Sequence, residues 1–106
     1  MSYVFRVNVR DALDYIETRQ NFIASNLSGG YSRSVGKLPS TWCEKLYEDV
    51  NNDSNLYVVL SYDTPIAWYS HEGGWTVPRV KYSVTTSKHQ NIVRNAVVTF
   101  TDSTEV

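Results

Sequence analysis

Residues 56 to 70 read LYVVLSYDTPIAWYS, in which two runs of β-branched and aromatic residues flank the turn-forming stretch Asp63-Thr64-Pro65. This composition predicts two strands that pair as a β-hairpin. Successive side chains of a strand point to opposite faces of a sheet. We therefore expect Trp68 and Tyr69 on different faces, with at least one of these rings directed away from the core.

The residues after the hairpin predict a third strand and a final helix. Gly73-Gly74 is typical of a turn, and apolar residues alternate again from Trp75 to Val84, interrupted by Pro78. The stretch Ser87-Lys88-His89-Gln90 has the S-x-x-Q form of a helix capping box and is followed by apolar residues at helical spacing. The C-terminal half is thus interpreted as a three-stranded antiparallel meander with a last helix packed on it.

The N-terminal half predicts one strand and two helices. Residues 3 to 9 alternate in the manner of a half-buried strand. Apolar residues recur at three- and four-residue steps over residues 12 to 26, which predicts an amphipathic helix, and the Gly- and Ser-rich residues 28 to 37 predict a surface loop. A second helix is expected from Pro39 to Val50, opened by a T-x-x-E capping box.

The composition fits one small soluble domain. With 106 residues and 42% apolar side chains, residues 1–106 are expected to share a single hydrophobic core. We expect an α+β fold with an N-terminal strand, two helices, a three-stranded antiparallel meander and a C-terminal helix packed on the sheet. No apolar run approaches about 18 residues, and the first residues lack the layout of a signal peptide. A cytoplasmic protein without a membrane partner is therefore expected.

Charge is unevenly distributed along the chain, although the formal net charge is only -1. Residues 18 to 43 contain basic but no acidic side chains, whereas residues 44 to 72 are strongly acidic, and residues 73 to 101 again lack acids. The basic residues of that last segment are Arg79, Lys81, Lys88 and Arg94. Two interpretations stay open. The charged segments form faces that only contact solvent or pair with one another, or the basic residues form a surface for an anionic partner.

Residue types used in catalysis and metal binding are sparse. His71 lies in a predicted turn and His89 at the start of the last helix, and no acidic residue between 73 and 101 is available to orient His89 locally. Together with the single Cys43, the two histidines show none of the short ligand spacings of a zinc site. We expect no catalytic residue, no metal and no cofactor. A small phosphate-ester enzyme that uses His89 stays open as an alternative.

The stretch from Tyr82 to Gln90 runs from a predicted strand into a predicted helix and is rich in hydrogen-bond donors. A helix N-terminus presents free amides and a partial positive charge, and the hydroxyl and cationic groups of residues 85 to 89 would surround it. This arrangement suits a phosphate or a carboxylate. The alternative is that Thr86 or Ser87 only caps the helix, with Gln90 as its reciprocal partner.

Part of the chain resembles a known group of proteins. Ser61-Tyr62-Asp63-Thr64-Pro65-Ile66-Ala67 matches a block S-Y-x-T-P-[IV]-A, and residues 82 to 89 match a second block Y-S-x-T-T-S-x-H after a Gly-containing hairpin. Over about residues 56 to 95, these blocks resemble small uncharacterised proteins of bacteriophages, plasmids and other mobile elements. The resemblance implies a mobile-element origin, and proteins of that kind frequently act on host machinery.

The polar residues of the two blocks lie at the hairpin turn and at the start of the last helix. An antiparallel meander places these positions at the same end of the sheet, so their side chains are expected to converge. Exposed aromatic rings and basic side chains of the meander complete a candidate surface, because such rings serve protein interfaces and nucleic-acid stacking alike. The candidate binding residues are Tyr62, Thr64, Trp68, Arg79, Lys81, Tyr82, Thr85, Thr86, Lys88, His89 and Arg94.

These features favour a non-enzymatic phage or mobile-element protein that acts on a macromolecule in the host cytoplasm. The expected partner is a host protein, and the expected role is inhibition of a defence or nucleic-acid-handling system, as in an anti-CRISPR protein. The alternative is direct nucleic-acid binding through the basic segment 79 to 94. The oligomeric state stays open.

Overall fold

A computed structural model describes residues 5–32, 34–53, 55–80, 82 and 84–100. Its strands form one sheet in chain order: β1 (Phe5–Arg6), β2 (Phe22–Ile23), β3 (Leu27–Gly30), β4 (Tyr57–Ser61), β5 (Thr64–Ser70) and β6 (Gly74–Thr76). Neighbouring strands from β2 to β6 pair antiparallel, whereas β1 and β2 pair in parallel. The helices are α1 (Ala12–Glu17), preceded by a 3-10 turn (Val9–Asp11), α2 (Ser40–Asn52) and α3 (Val84–Phe100). The described chain is α+β, as expected.

Helices cover both faces of the sheet. On one face α2 contributes Leu46 to a core that contains Trp68. On the other face α1 and α3 contribute Ile16 and Val93 to a second core. A strand covered on both faces is apolar at successive positions instead of every second one, which is why all residues from Leu56 to Val59 are buried.

The β4–β5 hairpin is confirmed, with a tighter turn than expected. The turn consists only of Tyr62 and Asp63, since Thr64 and Pro65 already belong to β5. Tyr62 adopts a left-handed conformation with φ 59°, and its amide donates to the carbonyl of Asn26 at 2.8 Å. The turn is therefore held by the neighbouring connection between β2 and β3.

A β-bulge sets the direction of the side chains near this turn. In the β4–β5 pair the register shifts between Val59 and Leu60, which leaves Ile66 without a partner on β4. A bulge bends its strand and re-aims the residues next to it. The extra residue belongs to β5, where Ile66 and Ala67 therefore contribute to the same core. Ser61 on β4 keeps the regular alternation and contacts α3.

The described sheet has six strands, whereas one N-terminal strand and a three-stranded meander were expected, because residues 22–23 and 27–30 also form strands. Residues 27 to 30, which were expected to begin a loop, form β3 and pair with β4. The strand expected over residues 3 to 9 is reduced to β1, because Val9 enters the 3-10 turn. Residues 3 and 4 lie outside the described residues.

The first predicted helix, residues 12 to 26, is wrong in its second half. α1 ends in a Schellman motif with two amide-to-carbonyl hydrogen bonds, Arg19 to Ile16 at 3.1 Å and Gln20 to Tyr15 at 2.8 Å. Arg19 occupies the left-handed position of this motif, with φ 54°, where glycine is usual. Without a glycine the sequence carries no recognisable stop signal, and the apolar spacing alone extended the helix too far.

The second helix is confirmed, but its capping box is wrong. α2 begins directly after Pro39, and no side-chain hydrogen bond caps it. Thr41 and Glu44 therefore do not form the reciprocal pair that the T-x-x-E pattern predicted. Pro39 needs no amide partner at this end, because proline has no N–H to satisfy.

The last helix is confirmed and begins earlier than expected. The third strand of the meander, β6, ends before Val77, and the residues expected to extend it to Val84 lead into α3 instead. Ser87 therefore lies in the first turn of α3 and is not its cap. The Gln90 side chain, expected to complete a capping box, donates to the carbonyl of Val80 at 2.9 Å.

The expectation of a ring directed away from the core is wrong for Trp68. Trp68 and Tyr69 do face opposite sides, but a helix layer covers each side. The Trp68 side chain is 0% exposed, packs edge-on against Trp42 at 6.3 Å between ring centroids, and donates through Nε1 to Asp49 Oδ2 at 2.7 Å. Trp68 is a core residue beneath α2 and offers no surface to a partner.

Candidate functional site

A cavity of about 390 Å³ opens where the β4–β5 turn meets the start of α3. Four of the residues that were expected to converge line it: Tyr62, Thr64, Tyr82 and Thr86. The other lining residues are Lys37, Ser61 and Asp63. This cavity, referred to below as the turn–helix pocket, has a volume typical of small-molecule sites.

A buried network of three polar side chains supports the pocket. The Ser61 hydroxyl lies 2.8 Å from Nδ1 of His89 and 3.0 Å from the Thr86 hydroxyl. All three residues are at most 5% exposed. Because a buried polar group without a partner is costly, these side chains stabilise one another and tie β4 to α3.

A serine hydroxyl beside an imidazole is also the arrangement of a nucleophile and its base. Ser61 is only 1% exposed, however, and its hydroxyl is shared with Thr86. In the described part of the chain, the His89 ring makes its only recorded hydrogen bond to Ser61, and no carboxylate orients it. The geometry therefore favours a positioning role for Ser61 over nucleophilic attack.

His89 makes the stability of the protein dependent on pH. Burial lowers the pKa of His89 below its ordinary value of 6.5, because the imidazolium loses its hydration. In the unfolded chain the imidazole binds a proton near pH 6.5, whereas in the native protein it binds one only at lower pH. The contribution of His89 to the free energy of unfolding is therefore complete above pH 6.5 and is lost as the pH falls below it. We expect the free energy of unfolding to decrease between about pH 7 and pH 5, and to decrease less in His89→Gln.

Urea unfolding of both proteins across this pH range provides the measurement. Every other titratable group is common to the two proteins and cancels in the difference between their slopes. The group with the clearest acidic shift, Asp53, titrates below its ordinary pKa of 3.8 and outside this window. Equal slopes for the wild type and His89→Gln would contradict the burial of a neutral imidazole.

Tyr82 supplies a donor without an acceptor. Its hydroxyl oxygen is buried, and no described residue lies within hydrogen-bonding distance of it. Burial, with a smaller contribution from the Cys43 thiol, raises the pKa of Tyr82, so the hydroxyl keeps its proton at neutral pH. An unsatisfied buried hydroxyl costs about 1 to 3 kcal/mol. Tyr82 thus lines the turn–helix pocket and carries a buried donor without an acceptor.

The loop before α2 forms the opposite wall of the pocket. The Ser34 hydroxyl donates to the Asp63 carbonyl at 2.8 Å, and the Lys37 amide donates to the Thr64 hydroxyl at 2.9 Å. These bonds place the exposed Lys37 side chain beside the turn. Asp63, of opposite charge, lines the same pocket. The first amides of α3 lack acceptors within the helix and add a partial positive charge.

The remaining candidate residues do not line the turn–helix pocket. His89 lies behind it, and Thr85 and Lys88 are exposed on the first turns of α3. Arg79 is exposed between β6 and α3. Arg94 is half-buried, and its Nε atom is buried with no hydrogen-bond partner among the described residues. Lys81 lies outside the described residues. The structure thus does not bring the basic segment together at this pocket.

Three lining residues, Lys37, Ser61 and Asp63, were not among the candidate binding residues. Ser61 lies on the strand face of the buried Tyr57 and Val59, and a polar residue at an inward position was the available signal. Lys37 is 27 residues away from Thr64, and no local pattern reports their contact. Only the packing of the loop onto the turn brings Lys37 to the pocket.

The described ranges lack two further kinds of site. They contain no group of three or more histidine, cysteine, aspartate or glutamate side chains arranged to hold a metal ion. Among the helices of the same ranges, none combines the length and the apolar character needed to cross a membrane.

Comparison with known proteins identifies one match. The model of a family described as "Family of unknown function (DUF8033)" matches residues 14–104. The chain matches no curated protein and no solved structure. The matched residues include all those that line the turn–helix pocket.

Proposed function

We propose that this chain, which belongs to the DUF8033 family of unknown function, is a non-enzymatic protein that binds a host protein through an anionic group of that partner. The turn–helix pocket would receive the anionic group, and the partner surface would cover the rim. The observation that carries this proposal is Tyr82, a residue of the pocket lining whose buried hydroxyl lacks an acceptor.

The donors around the pocket favour an anion over a neutral group. The Tyr82 hydroxyl, the Lys37 ammonium and the N-terminus of α3 all interact favourably with negative charge. Hydrogen bonds to an ionised acceptor are roughly twice as strong as those between neutral groups. A carboxylate at the surface of a partner protein supplies such an acceptor.

The rim of the pocket suits a protein partner. Tyr62, which lines the pocket at the turn, is 54% exposed, and Val84, two residues before the lining residue Thr86, is 76% exposed. Tyrosine rings are enriched among the residues that contribute most to protein interfaces. An apolar rim around a polar centre would let a partner exclude water from the anion and strengthen its hydrogen bonds.

The resemblance to phage and plasmid proteins supports a more specific role. The blocks that carry it include Tyr62, Thr64, Tyr82 and Thr86, which line the pocket. We therefore extend the proposal to a protein of mobile-element origin that acts in the host cytoplasm and inhibits a defence or nucleic-acid-handling system.

Replacing Tyr82 with phenylalanine separates binding from folding. The variant keeps the ring and removes the unsatisfied hydroxyl, so its melting temperature should be unchanged or higher. Titration with acetate and with inorganic phosphate, followed by amide NMR, should shift the Lys37, Thr64 and Thr86 signals in the wild type. In Tyr82→Phe the dissociation constant should rise about tenfold or more, because a hydrogen bond to a charged group is lost.

Tyr47→Phe is the matched control, since Tyr47 is 50% exposed on α2 and lies outside the pocket lining. An equal response of all three proteins, or no saturable response in any, would overturn the proposal. A titration with duplex DNA tests the nucleic-acid alternative. DNA binding that weakens steeply with salt and does not depend on Tyr82 would favour that alternative instead.

A further inference from the structure

A second cavity of about 390 Å³ lies at the opposite end of the β4–β5 hairpin, where β4 begins and β5 ends. The residues around it differ in chemistry from those of the turn–helix pocket. They include a cationic side chain, two primary amides, an imidazole and aromatic rings: Arg19, Asn21, Asn55, His71, Tyr31 and Tyr69. This cavity is referred to below as the Arg19 pocket.

Arg19 occupies a backbone position that favours a different residue. It is the left-handed residue of the Schellman motif that ends α1, with φ 54°. Glycine adopts this conformation without steric cost, whereas a residue with a Cβ is strained there. The backbone conformation at this position therefore favours glycine and gives no reason for an arginine. Strain of this kind is concentrated at functional sites.

The Arg19 guanidinium lies over the Tyr69 ring at the edge of the cavity. Its guanidinium lies 4.4 Å from the centre of the Tyr69 ring, and Tyr69 packs against the buried Trp75 at 5.4 Å between centroids. One terminal nitrogen also donates to the Glu17 carbonyl at 3.4 Å. The contact with the ring restrains the guanidinium and leaves further N–H donors for a ligand.

The His71 ring is oriented by a carboxylate. Asp53 Oδ2 accepts from the His71 amide at 2.9 Å and lies 3.0 Å from Nδ1 of the ring. These two bonds and the bond from the Asn55 amide lower the pKa of Asp53 to about 2, so the carboxylate is ionised at neutral pH. An imidazole held through Nδ1 keeps its other nitrogen for a ligand.

We infer that the Arg19 pocket binds a nucleotide. Arg19 would hold the phosphate, because its guanidinium presents N–H donors and carries a fixed positive charge. With Nδ1–H of His71 donating to Asp53, Nε2 of the neutral ring would accept a hydrogen bond from a ribose hydroxyl. The exposed Tyr31 ring offers a stacking surface for the base, and the amides of Asn21 and Asn55 match the donor and acceptor edges of a base. The same chemistry would accept a free nucleotide or the end of a single strand. This inference is independent of the turn–helix pocket.

Arg19→Gly tests the inference without endangering the fold. Isothermal titration calorimetry with adenosine monophosphate should show binding to the wild type and at least about a tenfold loss of affinity in Arg19→Gly. The melting temperature of the variant should be unchanged or higher, since glycine suits the left-handed position. Arg10→Ala is the control, because it removes an exposed arginine outside the cavity lining and should leave the affinity unchanged.

Further titrations separate the sources of the ligand. Adenosine and inorganic phosphate should each bind more weakly than the nucleotide, which combines both parts. A short single-stranded oligonucleotide that binds more tightly through Arg19 would identify a strand end as the natural source, and weaker binding would identify the free nucleotide. No binding of the nucleotide, binding equal to that of phosphate alone, or equal affinity in Arg19→Gly would overturn the inference. Tyr82→Phe should leave this site unaffected.

Discussion

Trp68→Ala should destabilise the protein by about 3 to 5 kcal/mol, because truncation of a fully buried tryptophan loses its apolar transfer free energy and leaves a cavity. The indole also donates to Asp49 at 2.7 Å, and the variant leaves that carboxylate without this donor. Domains of this size have total stabilities of only about 5 to 15 kcal/mol. Urea unfolding monitored by circular dichroism should therefore show a much lower midpoint.

Two further variants locate the origin of this loss. Trp68→Phe retains a buried ring but not the N–H, so its free energy of unfolding should lie between those of the wild type and Trp68→Ala. Tyr47→Ala removes an aromatic ring that is 50% exposed on α2, and its effect should stay within about 0.5 kcal/mol. A loss below about 1 kcal/mol for Trp68→Ala would show that the α2 face of the sheet is not a packed core.

Gly36→Ala is expected to cost about 2 to 3 kcal/mol and to distort the turn–helix pocket. Gly36 has φ +45°, and a Cβ there would lie 2.5 Å from the Asp63 carbonyl oxygen and 2.6 Å from Thr64 Cα. Backbone atoms of a paired hairpin cannot move aside as a flexible side chain can. The loop would shift, at the cost of left-handed strain of about 1 to 2 kcal/mol and of the Lys37–Thr64 hydrogen bond.

Unfolding by urea measures the loss, and amide NMR should show the largest shifts at Lys37 and Thr64. Gly73→Ala is the matched control, because a Cβ at Gly73 meets no atom within 4 Å. Its stability should differ from that of the wild type by less than about 0.5 kcal/mol. Similar stabilities for the two variants would show that the loop does not pack on the turn.

Two side chains lower the stability of the fold at the positions proposed for binding. Tyr82 buries a hydroxyl without an acceptor, and Arg19 occupies a left-handed position suited to glycine. Departures from local rules are expected where binding requires a particular side chain. The substitutions proposed for these positions should therefore retain or raise stability while they remove binding.

Local patterns were sufficient to predict elements whose stability depends on residues close in sequence. The β4–β5 hairpin and α2 are examples, because strand composition with turn residues and apolar spacing each act over a few positions. The end of α1 was not predictable in this way. Its Schellman motif contains Arg19 instead of glycine, so the composition gave no sign of the left-handed residue.

The candidate site was predicted in part for a related reason. Tyr62, Thr64, Tyr82 and Thr86 share a pocket because an antiparallel meander brings the hairpin turn near the start of α3. Lys37 joins them only through a loop that packs on the turn from 27 positions away. This long-range contact depends on how the loop before α2 packs on the β4–β5 turn. The sequence pattern around either residue does not predict it.

The sequence by itself predicted which side chains share a face where a strand is regular, since alternation follows directly from backbone geometry. It failed at the bulge, where Ile66 shares a core with Ala67 and not with Trp68. It placed Trp68 and Tyr69 on opposite faces correctly. Only the tertiary structure decided what covers each face. Because α2 packs on one side and α1 with α3 on the other, Trp68 belongs to a core, and the binding candidates lie at the ends of the hairpin, where the helix layers leave cavities.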